Sequence, residues 1–366
     1  MIERGAPHLP QRRRVLEIGT KLIAGYAATR LLTACGESPS SPEIPTPYWS
    51  IRSVDTMKQS RDNARLIGQR LNNPEQRIQM LSIINHEVRN IALLNSTHVA
   101  IGTPYNDEFL PVAQAYFLAA HNNGLNVWWR SNFSEFEKDS SNPNQGWFGY
   151  QHNPNFMPIP AQNGQPAIPG QPGKIREFIQ QNGHMFRKGD IFTPWPEAEN
   201  TIDFYNNPLL YQQLLLDDYA VTQPLRDKGV LAGYFSMNGD VAKRLDPGVV
   251  KQIGNVVVID HYVRHPDEMG DEIDFLHQRY PGAQIVIGEF GAPIPDLNGY
   301  MNPQQQAKFV GQLLDQIKSR GSIIKGLNYW VDIQSSTQFE TSLTNFLPVY
   351  NVLRKTYGAS AKAQTR

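Results

Sequence analysis

The sequence predicts an α/β protein of the (β/α)8 TIM-barrel class, and three observations carry that expectation. From Trp49 onward strand-like and helix-like apolar patterns alternate, and the alternation repeats eight times. Two of the strands, in IFTPWPEAEN (Ile191–Asn200) and IVIGEFG (Ile285–Gly291), end on a glutamate. A carboxylate just past a buried strand costs free energy unless it is solvated, paired or used. Residues 49–357 are enough for such a barrel, whose usual size is about 250 residues with insertions beyond that. The alternative for the same pattern is an open, doubly wound sheet.

The elements are expected in this order. A strand over Ser50–Met57 precedes a helix over Pro74–Leu94. A strand over His98–Tyr105 precedes a helix over Glu108–Asn122. The third strand, Asn126–Phe133 (NVWWRSNF), is followed by a long Asn/Gln/Pro/Gly loop over 137–173 and a helix over Lys174–Asn182. The fourth strand, Asp190–Trp195, precedes a helix over Pro208–Lys228. The fifth, Val230–Met237, precedes a short helix near Pro247–Ile253, and the sixth, Val256–Tyr262, precedes Asp271–Arg279. The seventh, Gln284–Phe290, precedes Pro303–Arg320, and the eighth, Ile324–Val331, precedes Thr341–Lys355. Residues 358–366 are expected as a disordered tail. The long loop should hang over the barrel face that carries the site, where Trp147, Phe148, Tyr150 and Phe156 either stack on sugar rings or pin the loop to the barrel.

The first fifty residues read as an address rather than as structure. QRRRVLE approximates a twin-arginine export signal, and the apolar stretch Ile18–Ala34 is interrupted by Lys21 and Arg30, which makes it a poor spanning helix. It ends in Leu32-Thr33-Ala34-Cys35, which resembles the bacterial lipobox, a signal cleaved before a cysteine whose thiol then carries lipid. A signal peptide is therefore expected over 1–34 and a Pro/Ser tether over 35–48, with no apolar face to bury. The alternative is an ordinary signal peptide or a disordered tail with a chance cysteine. On the lipoprotein reading the protein is exported and anchored through Cys35 to the outer face of a bacterial membrane.

Composition narrows the function classes. The 34 basic and 34 acidic residues give a formal net charge of zero. Cleavage before Cys35 removes Arg4, Arg12, Arg13, Arg14, Lys21 and Arg30 against Glu3 and Glu17, leaving 28 basic and 32 acidic residues, a net charge of −4. A nucleic-acid partner needs a basic face, so this balance argues against one and fits a neutral substrate such as a sugar chain. Cys35 is the single cysteine, so no intramolecular disulfide is expected. His86-Glu87 in NHEVRN lacks the second histidine of a zinc helix, and neither a P-loop nor GxGxxG occurs. No metal or organic cofactor is expected, and the protein is expected to be a monomer.

Reading the strand ends gives a ring of polar and aromatic candidates at one rim: Asp55, Tyr105, Arg130, Asn132, Glu197, Glu199, Asn200, Asn238, Asp240, Asp260, His261, Tyr262, Glu289, Asn328 and Trp330. Two glutamates on strands far apart in sequence are what acid/base or nucleophilic work on a glycosidic bond requires.

At this point the chain resembles glycoside hydrolase clan A, which includes the family 5 cellulases and mannanases. The resemblance spans Trp49 to about Tyr357 in architecture and a few short stretches in motif. IGEFG resembles the clan's nucleophile strand, which implies Glu289 as nucleophile, and PWPEAEN resembles the acid/base strand, which implies Glu197. IDHYV is similar to the sixth strand, where a tyrosine (here Tyr262, beside His261) contacts the nucleophile. NYW resembles the eighth strand, where a tryptophan (Trp330) floors the sugar site. Arg130 resembles the clan's strand-end arginine, which usually sits on strand two. Asn238 and Asn200 complete the implied substrate contacts. One departure stands out: the clan usually has Asn before the acid/base glutamate, and here that place is Pro196. Either Asn200 takes over, or the glutamate in use is Glu199, or the site is degenerate.

The resemblance implies a retaining glycoside hydrolase. Ionised Glu289 attacks the anomeric carbon, and Glu197, kept protonated by the neighbouring negative charge, protonates the leaving oxygen and then activates water. A transglycosylase uses the same residues. The rival class is a non-catalytic lipoprotein that binds glycans or another envelope component on a degenerate barrel. Carboxyl groups about 5–5.5 Å apart favour the hydrolase. A separation beyond ~10 Å, or a glutamate locked in a buried salt bridge, favours binding.

Overall fold

The computed structural model describes residues 46–56, 61–131, 171–200, 204–292, 295–330 and 348–364. Eight strands run in chain order: β1 Ile51–Val54, β2 His98–Ile101, β3 Asn126–Arg130, β4 Ile191–Thr193, β5 Ser236–Asn238, β6 Val256–Asp260, β7 Gln284–Phe290 and β8 Ile324–Tyr329. Their pairings are all parallel. One ladder runs β1-β8-β7-β6-β5 and a second β2-β3-β4. Single bridges, Asp55 to Ala100 and Ile191 to Leu231, join the two ladders at both seams, so the sheet closes on itself. This is the eight-stranded barrel that the alternation predicts.

The pleat sorts the side chains into two cores. Ile51, Ala100, Trp128, Ile191, Tyr234, Val256, Val258 and Val286 form the barrel interior. Their neighbours in sequence, such as Val127, Trp129, Phe192, Val257, Ile259, Ile285, Ile287 and Leu327, face outward into the layer beneath the helices. One step further along the inward face the residues turn polar: Arg130, Thr193, Ser236, Asp260 and Asn328 are all buried. Each apolar side chain fully buried below contributes roughly 1.5–3 kcal/mol. That plug of apolar contacts is the floor on which the polar layer rests.

Several boundaries differ from expectation for identifiable reasons. The fifth strand pairs regularly only at Ser236–Asn238, because Gly233 turns the backbone at φ +87°, with its α-carbon packed so closely on Ile253 O that a Cβ would lie 1.9 Å away. The helix expected over 208–228 breaks into Pro208–Val221 and Gln223–Arg226, since Pro224 has no N–H and its ring clashes with the preceding turn. A helix at Arg61–Asn72 was not expected. The last helix, Pro348–Ala363, continues through residues expected as a disordered tail. Ser360 on it is buried and its hydroxyl accepts from Trp49 N at 2.8 Å, so the end of the chain fastens the start of the barrel. The signal segment, the tether up to residue 45, most of the loop over 137–173, and Asn132 lie outside the described residues. Among the described residues no helix is long and apolar enough to cross a membrane.

Candidate active site

Strict alternation along β7 would aim Glu289 outward with Ile285 and Ile287. It does not, because β7 carries one extra residue. Against β6, Ile287 pairs with Ile259 but Glu289 pairs with Asp260. Against β8, Ile287 pairs with Leu327 and Phe290 with Tyr329. The irregularity falls at Gly288 and flips the sides, turning Glu289 into the barrel mouth and Phe290 out into the helix layer. Glycine is required there: a Cβ on Gly288 would lie 2.3 Å from Asp260 Oδ1 and 2.7 Å from Val258 Cγ1.

Arg130, at the end of β3, is fully buried and sits among three carboxylates. Its Nη2 donates to Glu289 Oε1 at 2.6 Å and to Asp260 Oδ2 at 2.9 Å. Its Nε lies 3.4 Å from Asp55 Oδ2, and its Nη1 donates to Gly288 O at 3.0 Å. Burial alone would lower the guanidinium, but Asp260, Glu289 and Asp55 outweigh it and hold Arg130 above its usual value. The other Glu289 oxygen, Oε2, accepts from the Tyr262 hydroxyl at 2.6 Å. Tyr262 meets Trp330 edge to face at 5.6 Å, and Trp330 N is anchored to Phe290 O at 3.0 Å. Asn328 Nδ2 also donates to Gly288 O, at 2.9 Å, fixing the bulge from the β8 side.

Glu197 follows Pro196 just past β4. It takes a left-handed conformation, φ 51°, and its N–H donates to Ser236 O at 2.8 Å. A non-glycine residue there carries a conformational cost that the surroundings must offset. The turn brings a Glu197 oxygen within 4.8 Å of carboxylate oxygens of both Glu289 and Asp260. Glu197 and Glu289 are 9% and 8% exposed, so both reach solvent only through the mouth.

Glu199 goes elsewhere. Its Oε1 accepts from Asn238 N at 2.5 Å and Asn238 Nδ2 at 2.8 Å, and its Oε2 accepts from the Tyr211 hydroxyl at 3.0 Å. Burial, then the charge of Glu197, pushes its carboxyl up to about 8. Asn238 is therefore engaged by Glu199. His261 lies on the opposite face of its strand from Asp260 and Tyr262. It packs on Gly239 beside Glu272, in the layer behind the barrel, so it is not brought to the mouth. Asn200 closes the short turn Ala198–Asn200, and its side chain lies outside the described residues.

The structure thus gathers Glu197, Glu289, Arg130, Tyr262 and Trp330, and sets Glu199, Asn238 and His261 apart from them. It draws in Asp55 and Asp260 from the strand-end ring as partners of Arg130, and it adds Ser236. The sequence signal for Asp260 was the period of two: Val256, Val258, Asp260 and Tyr262 share one face, and His261 cannot. Burial pushes the Glu289 carboxyl well above the usual carboxylate range, and Asp260 pushes it further, while Arg130 pulls it down and Glu197 and Asp55 add to the rise. Glu197, Asp260 and Glu289 are also the group whose oxygens lie close enough to share a cation. Arg130 Nη2 already supplies the positive charge between two of them. What the arrangement offers chemically is a pair of facing carboxyls that hold fewer charges than groups, beside an aromatic wall.

No protein-family model and no curated protein sequence matches the chain. Solved structures do match its fold. An exo-β-1,4-mannosidase from Opitutaceae bacterium strain TAV5 superposes with a TM-score of 0.57 at 11% identity, over 88% of this chain and 63% of that one. A β-glucosidase from Thermotoga maritima in complex with castanospermine gives 0.55 at 11% identity, over 88% of this chain and 99% of that one. The AHE enzyme from Alicyclobacillus herbarius gives 0.55 at 10% identity, over 89% and 100%. The chain spans 63% of the mannosidase and only 31% of a Bacteroides uniformis β-glucuronidase that it also matches. At these identities the likeness establishes the fold, and the chain is a (β/α)8 barrel.

Proposed function

We propose that the chain is a retaining glycoside hydrolase acting on an O-glycosidic bond, with Glu289 as nucleophile and Glu197 as acid/base. One observation carries the reading: the two side chains come from opposite parts of the barrel and bring carboxylate oxygens within 4.8 Å of each other. That closeness fits the short carboxyl separation of retaining enzymes, about 5–5.5 Å, better than the roughly 6.5–9.5 Å of inverting ones. Three barrels of the same fold are glycosidases or an enzyme by name, and the motif resemblance to clan A points the same way.

The chemistry follows from which glutamate keeps the proton. Two carboxyls this close titrate as a pair. Arg130 and Tyr262 both donate to Glu289, and donors stabilise the charged form. Burial, Asp260 and the charge of Glu197 push the proton toward Glu289. On this proposal the two donors outweigh them once substrate is bound, so that Glu289 reacts as the anion and Glu197 holds the shared proton. Glu289 attacks the anomeric carbon while Glu197 gives its proton to the leaving oxygen. Glu197, now ionised, takes a proton from the water that releases the sugar. Trp330 presents a flat apolar face to the ring, and the net charge of the mature chain suits a neutral glycan. The chain is further proposed to be a monomer, exported and held at the cell envelope through lipid on Cys35.

The Arg130–Glu289 ion pair and Pro196 favour a second reading, glycan binding without turnover. Assay of a panel of glycans and aryl glycosides separates the two. Hydrolysis with retained anomeric configuration, abolished in Glu289→Ala, is expected. Glu197→Ala should keep most activity on substrates with activated leaving groups, lose it on natural glycans, and be rescued by azide in its second step. The same behaviour in Glu199→Ala instead would reverse the acid/base assignment. Binding of a glycan with no turnover by wild type would leave the second reading standing.

A further inference from the structure

The backbone of Glu197 and the carboxyl of Glu289 are linked by a run of hydrogen-bonded residues beneath the site, with Ser236 joining its two halves through its backbone carbonyl and its side-chain hydroxyl. Glu197 N–H donates to Ser236 O at 2.8 Å. The Ser236 hydroxyl donates to Asp260 Oδ2. Asp260 Oδ2 accepts from Arg130 Nη2 at 2.9 Å, and the same nitrogen donates to Glu289 Oε1 at 2.6 Å. The run crosses from the end of β4 through β5, β6 and β3 to β7. All its members are buried, and Asp260 is 2% exposed.

Asp260 is the unusual link. A buried carboxylate is costly unless its oxygens are satisfied. Its Oδ2 has two donors, Ser236 and Arg130, whereas its Oδ1 has no hydrogen-bond partner among the described residues and abuts Gly288. The bulge that aims Glu289 is thus packed directly against this side chain.

We propose that Asp260 is a positioning residue for the reaction, acting through Arg130 to aim Glu289 and set its charge, and through Ser236 to fix Glu289 relative to Glu197. The proposal rests on the hydrolase reading above. The mechanism is a shared donor. Arg130 Nη2 divides its positive charge between Asp260 and Glu289, so Glu289 is held less tightly as an anion than a sole partner would hold it. A nucleophile fully neutralised by arginine would be a poor one. The groups that face Glu289 are Asp55 from β1, Arg130 from β3, Glu197 after β4, and Asp260 and Tyr262 on and just after β6, with neutral Asn328 and Trp330 from β8. Among these, Asp260 shares a donor atom with it, and removing its charge leaves that atom to Glu289 alone.

The test uses the full mature chain with 13C-labelled glutamate, and follows the Glu289 carboxyl by NMR across pH, assigned by its absence in Glu289→Gln. In Asp260→Asn the Glu289 midpoint is expected to move down by about one pH unit or more, as loss of a close like charge requires. In Ser236→Ala, which keeps the carbonyl that Glu197 uses, Asp260 loses its other donor and draws harder on Arg130, so a smaller shift upward is expected, and this variant serves if Asp260→Asn does not fold. On any substrate that wild type turns over, the acid limb of kcat/KM should follow the NMR midpoint in each variant, and kcat should fall by more than KM changes. An unmoved midpoint in both variants overturns the proposal. A shifted midpoint with unshifted pH profile and unchanged kcat overturns the positioning role. If wild type turns over nothing while the midpoint moves, the coupling stands and the hydrolase reading fails, so the two failures are distinct.

Discussion

The Tyr262 hydroxyl lies 2.6 Å from Glu289 Oε2, on the carboxylate oxygen that Arg130 does not hold. The two donors divide the carboxylate between them and fix its plane. Both favour the charged form, against the burial and the Asp260 charge that disfavour it. Tyr262→Phe removes one donor and little volume. A hydrogen bond to a charged group contributes about 1.5–3 kcal/mol, so kcat/KM should fall by roughly ten- to a hundredfold. Its acid limb should move to higher pH, because Glu289 loses a group that keeps it ionised. A pH–rate profile checks both, and an unmoved or lowered limb would show that the contact does not tune Glu289.

Gly288 makes the bulge and has no room for a methyl group. The added Cβ would meet Asp260 Oδ1 at 2.3 Å, Val258 Cγ1 at 2.7 Å and Arg130 Nη1 at 3.3 Å. Overpacking of this kind costs about 1–3 kcal/mol. Gly288→Ala should lower Tm and impair the site together, since the groups displaced are those that hold Glu289. Gly311 is the control. It lies in the helix Pro303–Ser319, where a Cβ would find only Val352 Cγ1 at 3.9 Å. Gly311→Ala should stabilise by about 0.5–1 kcal/mol. Thermal melts of the two variants that fail to move in opposite directions would refute the packing account.

Much of this site was legible in the sequence because a strand's end is. Glu289 closes IVIGEF and Glu197 follows IFTPWP, and barrel topology puts both at one rim whatever the loops do. Pro196 signalled a turn, and the turn separates Glu197 from Glu199 as a fixed φ at that point suggests. Grouping His261 with Tyr262 breaks the parity of the sixth strand, because adjacent residues point to opposite faces. Asp260 and Ser236 share the parity of the barrel interior, which marked them out. The bulge at Gly288 breaks parity, and its one local sign in IVIGEF is the glycine itself, since an isolated Gly inside a strand suggests a bulge. Without it, alternation places Glu289 outside the barrel, and only the partner strands reveal the extra residue. The apolar run Val230–Met237 predicts a longer fifth strand than forms, because the backbone at Gly233 turns toward Ile253.

The N-terminal reading has its own test, because Cys35 lies outside the described residues. LTAC followed by GESPSSPEIPTP motivates cleavage before Cys35 and lipid on its thiol. Cys35→Ser should accumulate as an uncleaved precursor or leave the membrane fraction, with no change in the folded barrel. Intact mass of the wild-type protein should show a chain that begins at Cys35 with added lipid mass. A mutant that is cleaved and fractionates with membranes as the wild type does would rule the anchor out.

The last prediction concerns Glu199, whose carboxyl is held at about 8 by burial and by the charge of Glu197. In the unfolded chain it reverts to the usual value near 4.3. The folded form therefore binds its proton more tightly than the unfolded form. The stability this contributes is fully present below the unfolded value and is lost as pH rises through about 8. Glu199→Gln keeps a carbonyl oxygen for Asn238 N and Nδ2, and its amide faces the Tyr211 hydroxyl, which can accept. The variant has no charge to bury. Its Tm should match or trail the wild type near pH 4.5 and gain on it steadily toward pH 8.5, so that the difference between the two curves rises with pH. Because Glu199 holds Asn238 and Tyr211 rather than substrate, activity on natural glycans should change little in the variant, unlike Glu197→Gln. A Tm difference that is flat across this range would show that Glu199 is not held protonated by the fold. A difference that falls with pH would mean the carboxylate is stabilised there, and that Asn238 and Tyr211 outweigh burial.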